Sequence, residues 1–307
     1  MQTILVTGAT GSQGRPVVQK LLEAGYGVRM LARHPERAGD LTRSGAEPYA
    51  GDLGDPGAVR AAVRGADGVF LLVPFFSDPG AALGYGRNVI DAAREAGVKL
   101  IVWNPTGEIP PVPTGNPGLD LRRDLLAHLE ESGVPFVVLQ PTGYLENLLE
   151  PWTRDEVAEK DTFAYPTPNE VRIQWIATAD VATFAVYAFG HPELAPLNLK
   201  VSGPERLSGT EVAERFTRAL GRPITFRPMP PQEFGEKLDR VFPGMGAGVT
   251  AAYEMAYADP EMMSTSVDID AALAKMPVRL TTVEEWVREH AGAFSPAAVA
   301  GQESSTV

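Results

Sequence analysis

The chain contains no cysteine. Disulfides, thiolate zinc sites, iron–sulfur clusters and a cysteine nucleophile are thereby excluded. Histidine is scarce: His34, His128, His191 and His290 lie far apart, and no pair has metal-ligand spacing. No apolar run reaches the ~18 residues that a membrane span requires. Cations are outnumbered, 27 Lys and Arg against 39 Asp and Glu, and the net charge of −12 repels phosphodiester backbones and anionic membranes. No local run of Lys and Arg offsets that charge, so neither nucleic acid nor membrane is an expected partner. A leader segment is not expected either, because Thr3–Val6 already reads as a strand. A cytoplasmic protein is the resulting expectation.

What remains suits a large core: 307 residues, 44% hydrophobic and 21% charged, enough for one large domain or two closely joined ones. The first half alternates short apolar runs with helical patterns. QTILVTG reads as a buried strand. RPVVQKLLEAG reads as a helix with Val17, Val18, Leu21 and Leu22 on one face, Pro16 in its first turn and Gly25 as its stop. Further strands are expected over 28–33, 47–52, 68–74, 99–105 and 136–141, with helices near 56–65, 80–97 and 118–132. Strands that are apolar throughout and separated by helices predict a parallel sheet covered on both faces, a doubly wound α/β fold.

After Pro141 the rhythm breaks. EPWTRDEVAEKDTFAYPTPNE reads as polar, proline-bearing and irregular. A strand, a long apolar helix and another strand follow over VRIQWIATADVATFAVYAFG and PLNLKVSG. LSGTEVAERFTRALG is a marked helix, with Ser208 and Glu211 as a capping box and Gly221 as its stop. The rest, to about Phe294, reads as helices with breaks such as FPGMGAG. The expected division is an α/β domain over 1–150, with 171–203 returning to its sheet and flanking helices. A smaller substrate or lid domain covers 151–170 and 204–293, over the sheet's C-terminal edge, and 294–307 is a flexible tail.

Gly8, Gly11 and Gly14 form G-x-x-G-x-x-G between the first strand and the first helix. In that context the spacing points to a dinucleotide: a tight turn, a close approach to pyrophosphate, and helix-on-strand packing. Thr10, Ser12 and Gln13 lie within the motif, where backbone N–H groups at a helix N-terminus face phosphate. The second strand ends in MLARHPER, with Arg33 where an NAD-binding chain usually carries an acid. A cation there suits the 2′-phosphate of NADP, with Arg37 as a second contact. Asp52 and Leu53, at the third strand's tip, are placed to receive the adenine edge, although Asp52 fits equally as a cap on the next turn. Val73 and Pro74 would line the groove, with Phe75 or Phe76 reaching towards the nicotinamide or packing in the core.

GATGSQG, ARHPER, GDL, LLVPF and SGVPFVVLQPTGYLENLL occur in that order. With them the chain resembles the NmrA-like group of atypical short-chain dehydrogenase/reductases over roughly residues 1–230. The resemblance implies a Rossmann-type sheet with a smaller C-terminal domain and NADP(H) as cofactor, with Pro141 and Gly143 beside it. Such families include NADPH-dependent quinone reductases, isoflavone-type and ether-cleaving reductases, and regulators that sense NADP(H) without turning it over.

The departures bear on the chemistry. Ordinary short-chain dehydrogenases carry Tyr-x-x-x-Lys, yet none of the eight tyrosines here has a lysine four residues on. Catalytic NmrA-like enzymes often place a lysine on the helix before SG-x-P, and the matching residue is Arg122. Arginine does not give up a proton in proteins, though its fork of donors can stabilise an oxyanion. General acid catalysis contributes about 10²–10⁴-fold, so its loss disfavours simple ketones. A quinone suffers least, because hydride delivery gives a resonance-stabilised phenolate. Arg122 also reads as a surface residue of an amphipathic helix.

Asn104 and Thr106 end the fifth strand, where either a polar substrate contact or Asn-Pro turn chemistry accounts for them. Tyr144, just past QPTG, offers a phenol donor. His128 reads as structural. The Met, Phe and Tyr of RVFPGMGAGVTAAYEMAYADPEMM suit either a pocket for an aromatic substrate or ordinary core. The expectation is an NADPH-dependent reductase of a quinone or other conjugated carbonyl, with Arg122, Asn104 or Tyr144 polarising the acceptor oxygen and a small aromatic or quinone-like molecule as partner. The alternative is a non-catalytic NADP(H) sensor. Monomer and homodimer both remain open.

Overall fold

The computed structural model of the protein describes residues 1–74 and 78–296. Its residues fall into two compact units. The first comprises Met1–Pro141, Thr178–Val201 and Asp270–Val278.

Seven strands make its sheet: β1 (Thr3–Thr7), β2 (Gly27–Ala32), β3 (Glu47–Ala50), β4 (Gly68–Leu72), β5 (Leu100–Asn104), β6 (Phe136–Pro141) and Leu197–Val201. Their order is β3-β2-β1-β4-β5-β6 followed by Leu197–Val201, and every pairing is parallel. Burial follows that order. β4, β5 and β6 are buried at every residue, whereas β3 and Leu197–Val201 alternate or face solvent as edge strands do. The order reverses between β1 and β4, and ligands of open α/β sheets bind at the strand tips beside such a switch point.

The helices begin where capping chemistry allows. α1 (Gly14–Glu23) buries Val17, Val18 and Leu21, and α2 is the short Gly39–Arg43. α3 (Pro56–Val63) starts at Asp55, whose carboxylate accepts the Gly57 and Ala58 N–H groups. Asp78 caps α4 (Pro79–Ala96) and Asn116 caps α5 (Pro117–Ser132). Gly97 and Gly133 end them at φ +69° and +71°, where a Cβ would be strained. The sheet and these helices share one core that includes Leu5, Val69, Ile101, Trp103, Val89 and Leu125. Each such side chain contributes about 1.5–3 kcal/mol by leaving water.

The second unit comprises Thr142–Ala177, Ser202–Ile269 and the chain from Arg279. Two short ladders form in it: Thr162–Tyr165 beside Thr225–Pro228, and Ile173–Gln174 beside Arg206–Leu207. Phe163 stacks on Phe216, with ring centroids 5.5 Å apart, in a core shared with Tyr165, Trp175, Trp286 and Phe294. The Ser208–Glu211 capping box forms as the sequence predicts, and Gly221 closes the helix Gly209–Leu220 in the left-handed region.

The division differs from its sequence reading: 142–150 and 171–177, expected with the α/β domain, fall in the second unit, where Ile173–Gln174 pairs with Arg206–Leu207, and 270–278, expected in the smaller domain, fall in the first. The character of one stretch differs as well. Where an irregular segment is expected, Pro151–Lys160 is a helix followed directly by the strand Thr162–Tyr165. Its apolar periodicity is masked because a charged residue is buried there. Glu156, with only 8% of its side chain exposed, meets Lys237 at 2.7 Å and Lys160 at 3.1 Å. Burial works to raise its pKa, but hydrogen bonds from Lys237 and Lys160 outweigh that and hold it at about 2. Of the expected tail, Phe294 is buried and the residues from 297 on lie outside the described ones.

Candidate functional site

Gly8 follows β1 at φ +66°, a conformation that favours glycine. The Gly11 N–H then donates to the Gly8 carbonyl at 3.1 Å, closing the turn. A Cβ on Gly14 would lie 2.2 Å from that same oxygen, so helix packing requires glycine there. Gly11 is different: a Cβ would meet only the Gly8 oxygen, at an ordinary 3.5 Å. Neither packing nor a positive φ requires glycine at Gly11, and the turn is open on that side. Thr10, Gly11 and Ser12 are exposed there. The residues present therefore fit a pyrophosphate, with backbone N–H groups of the turn and of α1 as its donors.

Arg33 and Asp52 are brought together. The Arg33 guanidinium is 75% exposed, with Nε 3.8 Å from Asp52 Oδ2. The other Asp52 oxygen accepts the Gly54 N–H at 2.7 Å. Arg37 is exposed on the single turn Pro35–Ala38. Leu53 packs against the core, and its carbonyl accepts from Asn88 Nδ2 at 2.8 Å. Val73 is half-buried and Pro74 exposed beyond β4, whereas Phe75 and Phe76 lie outside the described residues.

At the tip of β5, Asn104 is 2% exposed and reaches the glycine turn. Its Nδ2 donates to Gln13 Oε1 at 3.2 Å, and the Thr106 hydroxyl donates to the same oxygen at 3.3 Å. Asn104 Oδ1 meanwhile accepts the Thr106 N–H at 2.9 Å. Thr106 sits at φ +57°, a strained value for a β-branched residue. Arg122 on α5 is 6% exposed. Its Nε donates to the Pro105 carbonyl at 2.9 Å, Nη2 to that of Thr106 at 3.2 Å and Nη1 to that of Glu108 at 3.4 Å. Arg122, Asn104, Thr106, Trp103, Val73 and Pro74 line one small cleft at this end of the sheet. The surface arginine considered from the sequence is thus a buried one.

Pro141 ends β6 in the first unit, while Gly143 and Tyr144 belong to the second. Tyr144 is buried and forms a bridge with Ile176, whose N–H donates to the Gly143 carbonyl at 2.9 Å. His128 Nε2 lies 3.0 Å from Asp91 Oδ1 on α4. Phe234, Leu238 and Met229 form core in the second unit with Trp152 and Ala164.

Three contacts have no sequence motif to announce them. The Thr7 hydroxyl donates to the Leu72 carbonyl and accepts the Leu72 N–H, both at 2.8 Å, and so ties the tips of β1 and β4. Asn88 reaches Leu53 from α4, and Arg15 pairs with Asp40 across α1 and α2. Each joins residues more than 20 positions apart, so no local pattern carries it. Among the described residues no group of three His, Asp or Glu could hold a metal, and no helix is long and apolar enough to cross a membrane.

The NmrA-like family matches residues 1–287 of this chain. An NAD(P)H azoreductase from Xenophilus azovorans is 32% identical over 302 residues, covering 96% of this chain and all of that protein. A (4-alkanoyl-5-oxo-2,5-dihydrofuran-3-yl)methyl phosphate reductase from Streptomyces griseus is 30% identical over 309 residues, with 95% and 99% covered. Among solved structures, the negative transcriptional regulator NmrA in complex with NADP superposes with a TM-score of 0.72. At 18% identity over the whole of this chain and 98% of that one, it shares the fold.

Proposed function

Because the chain belongs to the NmrA-like family and is an NAD(P)H-dependent oxidoreductase, we propose that it uses NADPH to reduce a quinone or another conjugated carbonyl compound. One observation carries the choice of acceptor. Where proton donation would be expected on α5 stands Arg122, an arginine hydrogen-bonded to three backbone carbonyls. Arginine releases no proton, so the acceptor must take hydride without one from this position. A conjugated acceptor does so, because its product anion is delocalised. The compound named for one relative, an alkanoyl-oxo-dihydrofuran, is a conjugated carbonyl and supports this reading, whereas the azo group named for the other supports only reduction of an unsaturated bond with NAD(P)H.

NADPH, when bound, supplies the hydride. The glycine turn offers backbone N–H donors to the pyrophosphate, with Gly11 leaving it room. Arg33, exposed and cationic, is placed for the 2′-phosphate, and Arg37 adds charge on the same loop. Asn104 and Thr106 turn their polar groups to Gln13, which fixes the glycine turn against the tip of β5.

The same lack of a donor favours a second reading, an NADP(H) sensor without turnover, and the fold is shared with a regulator. Purified protein with NADPH and a panel of quinones, enones and simple ketones separates the two, followed by loss of the reduced-nicotinamide absorbance. Turnover of conjugated acceptors over simple ketones is the expected result. Tight NADPH binding with no turnover of any acceptor would replace the reductase by the sensor.

A further inference from the structure

Residues 105–116 join β5 to α5 without regular structure, so their backbone groups need partners from elsewhere. The first turns of α5 supply many of them. Asp120 accepts the N–H groups of Thr114 and Gly115 at 2.7 and 2.9 Å, and the Arg123 Nη1 reaches the Pro110 carbonyl at 3.5 Å. From β6, Gln140 Oε1 accepts the Ile109 N–H at 2.7 Å. Arg122 binds the segment nearest the sheet, taking the carbonyls of Pro105, Thr106 and Glu108.

That segment holds the strain. Thr106 at φ +57° and Gly107 at φ +138° are consecutive residues with positive φ. A threonine keeps such a conformation only where its surroundings over-determine it. Arg122 bonds the carbonyl before Thr106 and that of Thr106 itself, while Asn104 takes its N–H. Both peptide groups flanking Thr106 are thereby fixed, and the threonine hydroxyl is delivered to Gln13 in the glycine turn. The planar guanidinium is suited to this, because it spreads several donors over neighbouring acceptors, whereas a lysine presents one compact charge.

We propose that Arg122 is a positioning residue, which clamps the β5–α5 loop so that Asn104 and Thr106 are held against the glycine turn, and that it acts through them and not on the acceptor. The inference rests on the reductase reading for its kinetic consequence but not for its structural one. It also explains why arginine, rather than a proton-donating lysine, occupies this helix position.

The test compares Arg122→Lys and Arg122→Met with the full-length parent. Amide hydrogen exchange over residues 104–116, without cofactor or acceptor, should accelerate in both variants, although lysine keeps the charge. This readout needs no turnover, so it decides the clamp even if the protein proves to be a sensor. With turnover, kcat/KM should fall by roughly 10²-fold, the size of effect expected from an ~1 Å misplacement. The fall should be uniform across quinones of graded reduction potential, and KM for NADPH should rise with it because Gln13 loses two contacts. Unchanged exchange over 104–116 would overturn the proposal. So would a penalty that grows steeply as the acceptor's anion becomes less stabilised, since that marks direct oxyanion stabilisation. If Arg122→Met does not fold, Arg122→Lys alone carries the comparison, because it retains charge and stem and removes only the fork.

Discussion

Two glycines three positions apart, Gly11 and Gly14, should respond to the same substitution in opposite ways. In Gly14→Ala the new Cβ would start 2.2 Å from the Gly8 carbonyl oxygen and 2.7 Å from its carbon. Both are backbone atoms of the turn that leaves β1, so relief requires α1 to move away from the sheet. Overpacking of this kind costs about 1–3 kcal/mol, and here it lies at the upper end because no flexible side chain can yield. In Gly11→Ala the nearest atom is that same oxygen at 3.5 Å, an ordinary contact. Folding stability should therefore change by no more than about 0.5 kcal/mol, as at other exposed positions. In the proposed cradle the added methyl would instead occupy space needed by pyrophosphate. Losing one charge-assisted hydrogen bond there costs about 1.5–3 kcal/mol, or roughly 10–100-fold in NADPH affinity. Urea unfolding and NADPH titration by protein fluorescence measure the two effects separately. If Gly11→Ala binds NADPH like the parent, or if Gly14→Ala unfolds at the parent's urea midpoint, the cradle has been misassigned.

Two further outcomes are expected. Arg33→Asp should weaken NADPH by at least tenfold more than NADH, because an exposed cation is replaced by a charge that repels the 2′-phosphate; equal losses would remove the preference for NADP. Glu156→Gln should destabilise the second unit by an amount that depends on pH. The Glu156 carboxyl lies at about 2 instead of 4.5, so at ~1.4 kcal/mol per pH unit its ion pairs contribute on the order of 3 kcal/mol. The folded value is the lower one, so this stability is present above about pH 4.5 and is lost as pH falls through about 2. Urea midpoints of parent and variant should converge between pH 5 and about 2, and parallel profiles would contradict the ion-pair account.

The α/β half was legible because its signals are local. A buried central strand such as Gly68–Leu72 is apolar at almost every residue, and an Asp-Pro or Asn-Pro pair marks the start of α3, α4 and α5. The turn at Gly8 and the helix packing at Gly14 were legible for the same reason, since both fall within seven residues. The helix Pro151–Lys160 was not. Its buried face includes Thr153 and Glu156, and besides the local Lys160 the burial of Glu156 draws on Lys237 and Arg227, far along the chain, at 2.7 and 3.5 Å. Pattern reading assumes that charge marks the surface, which fails where a distant partner neutralises it. Arg122 was singled out by its helix position, but its burial escaped in the same way: the carbonyls that bury it belong to a loop whose path no periodicity encodes.

Asn104 and Asp52 each make the turn bond that the sequence offers as one of two readings, and each keeps a second polar end. For each, turn chemistry competes with a role at the sheet's ligand-binding edge. Each side chain, however, has two polar ends. Asn104 uses Oδ1 to accept the Thr106 N–H and shape the turn, while Nδ2 reaches Gln13 in the glycine loop. Asp52 uses Oδ1 to accept the Gly54 N–H, while Oδ2 faces the exposed Arg33. In both, the turn-forming bond fixes the side chain's rotamer and thereby aims its second end. A short amide or carboxylate at a strand tip is thus locked by the backbone that it caps, at no further cost in side-chain freedom. The turn is then the means by which the polar group is presented, and Asp52→Ala should disturb both together: the β3–α3 turn through Gly54 and the charge beside Arg33.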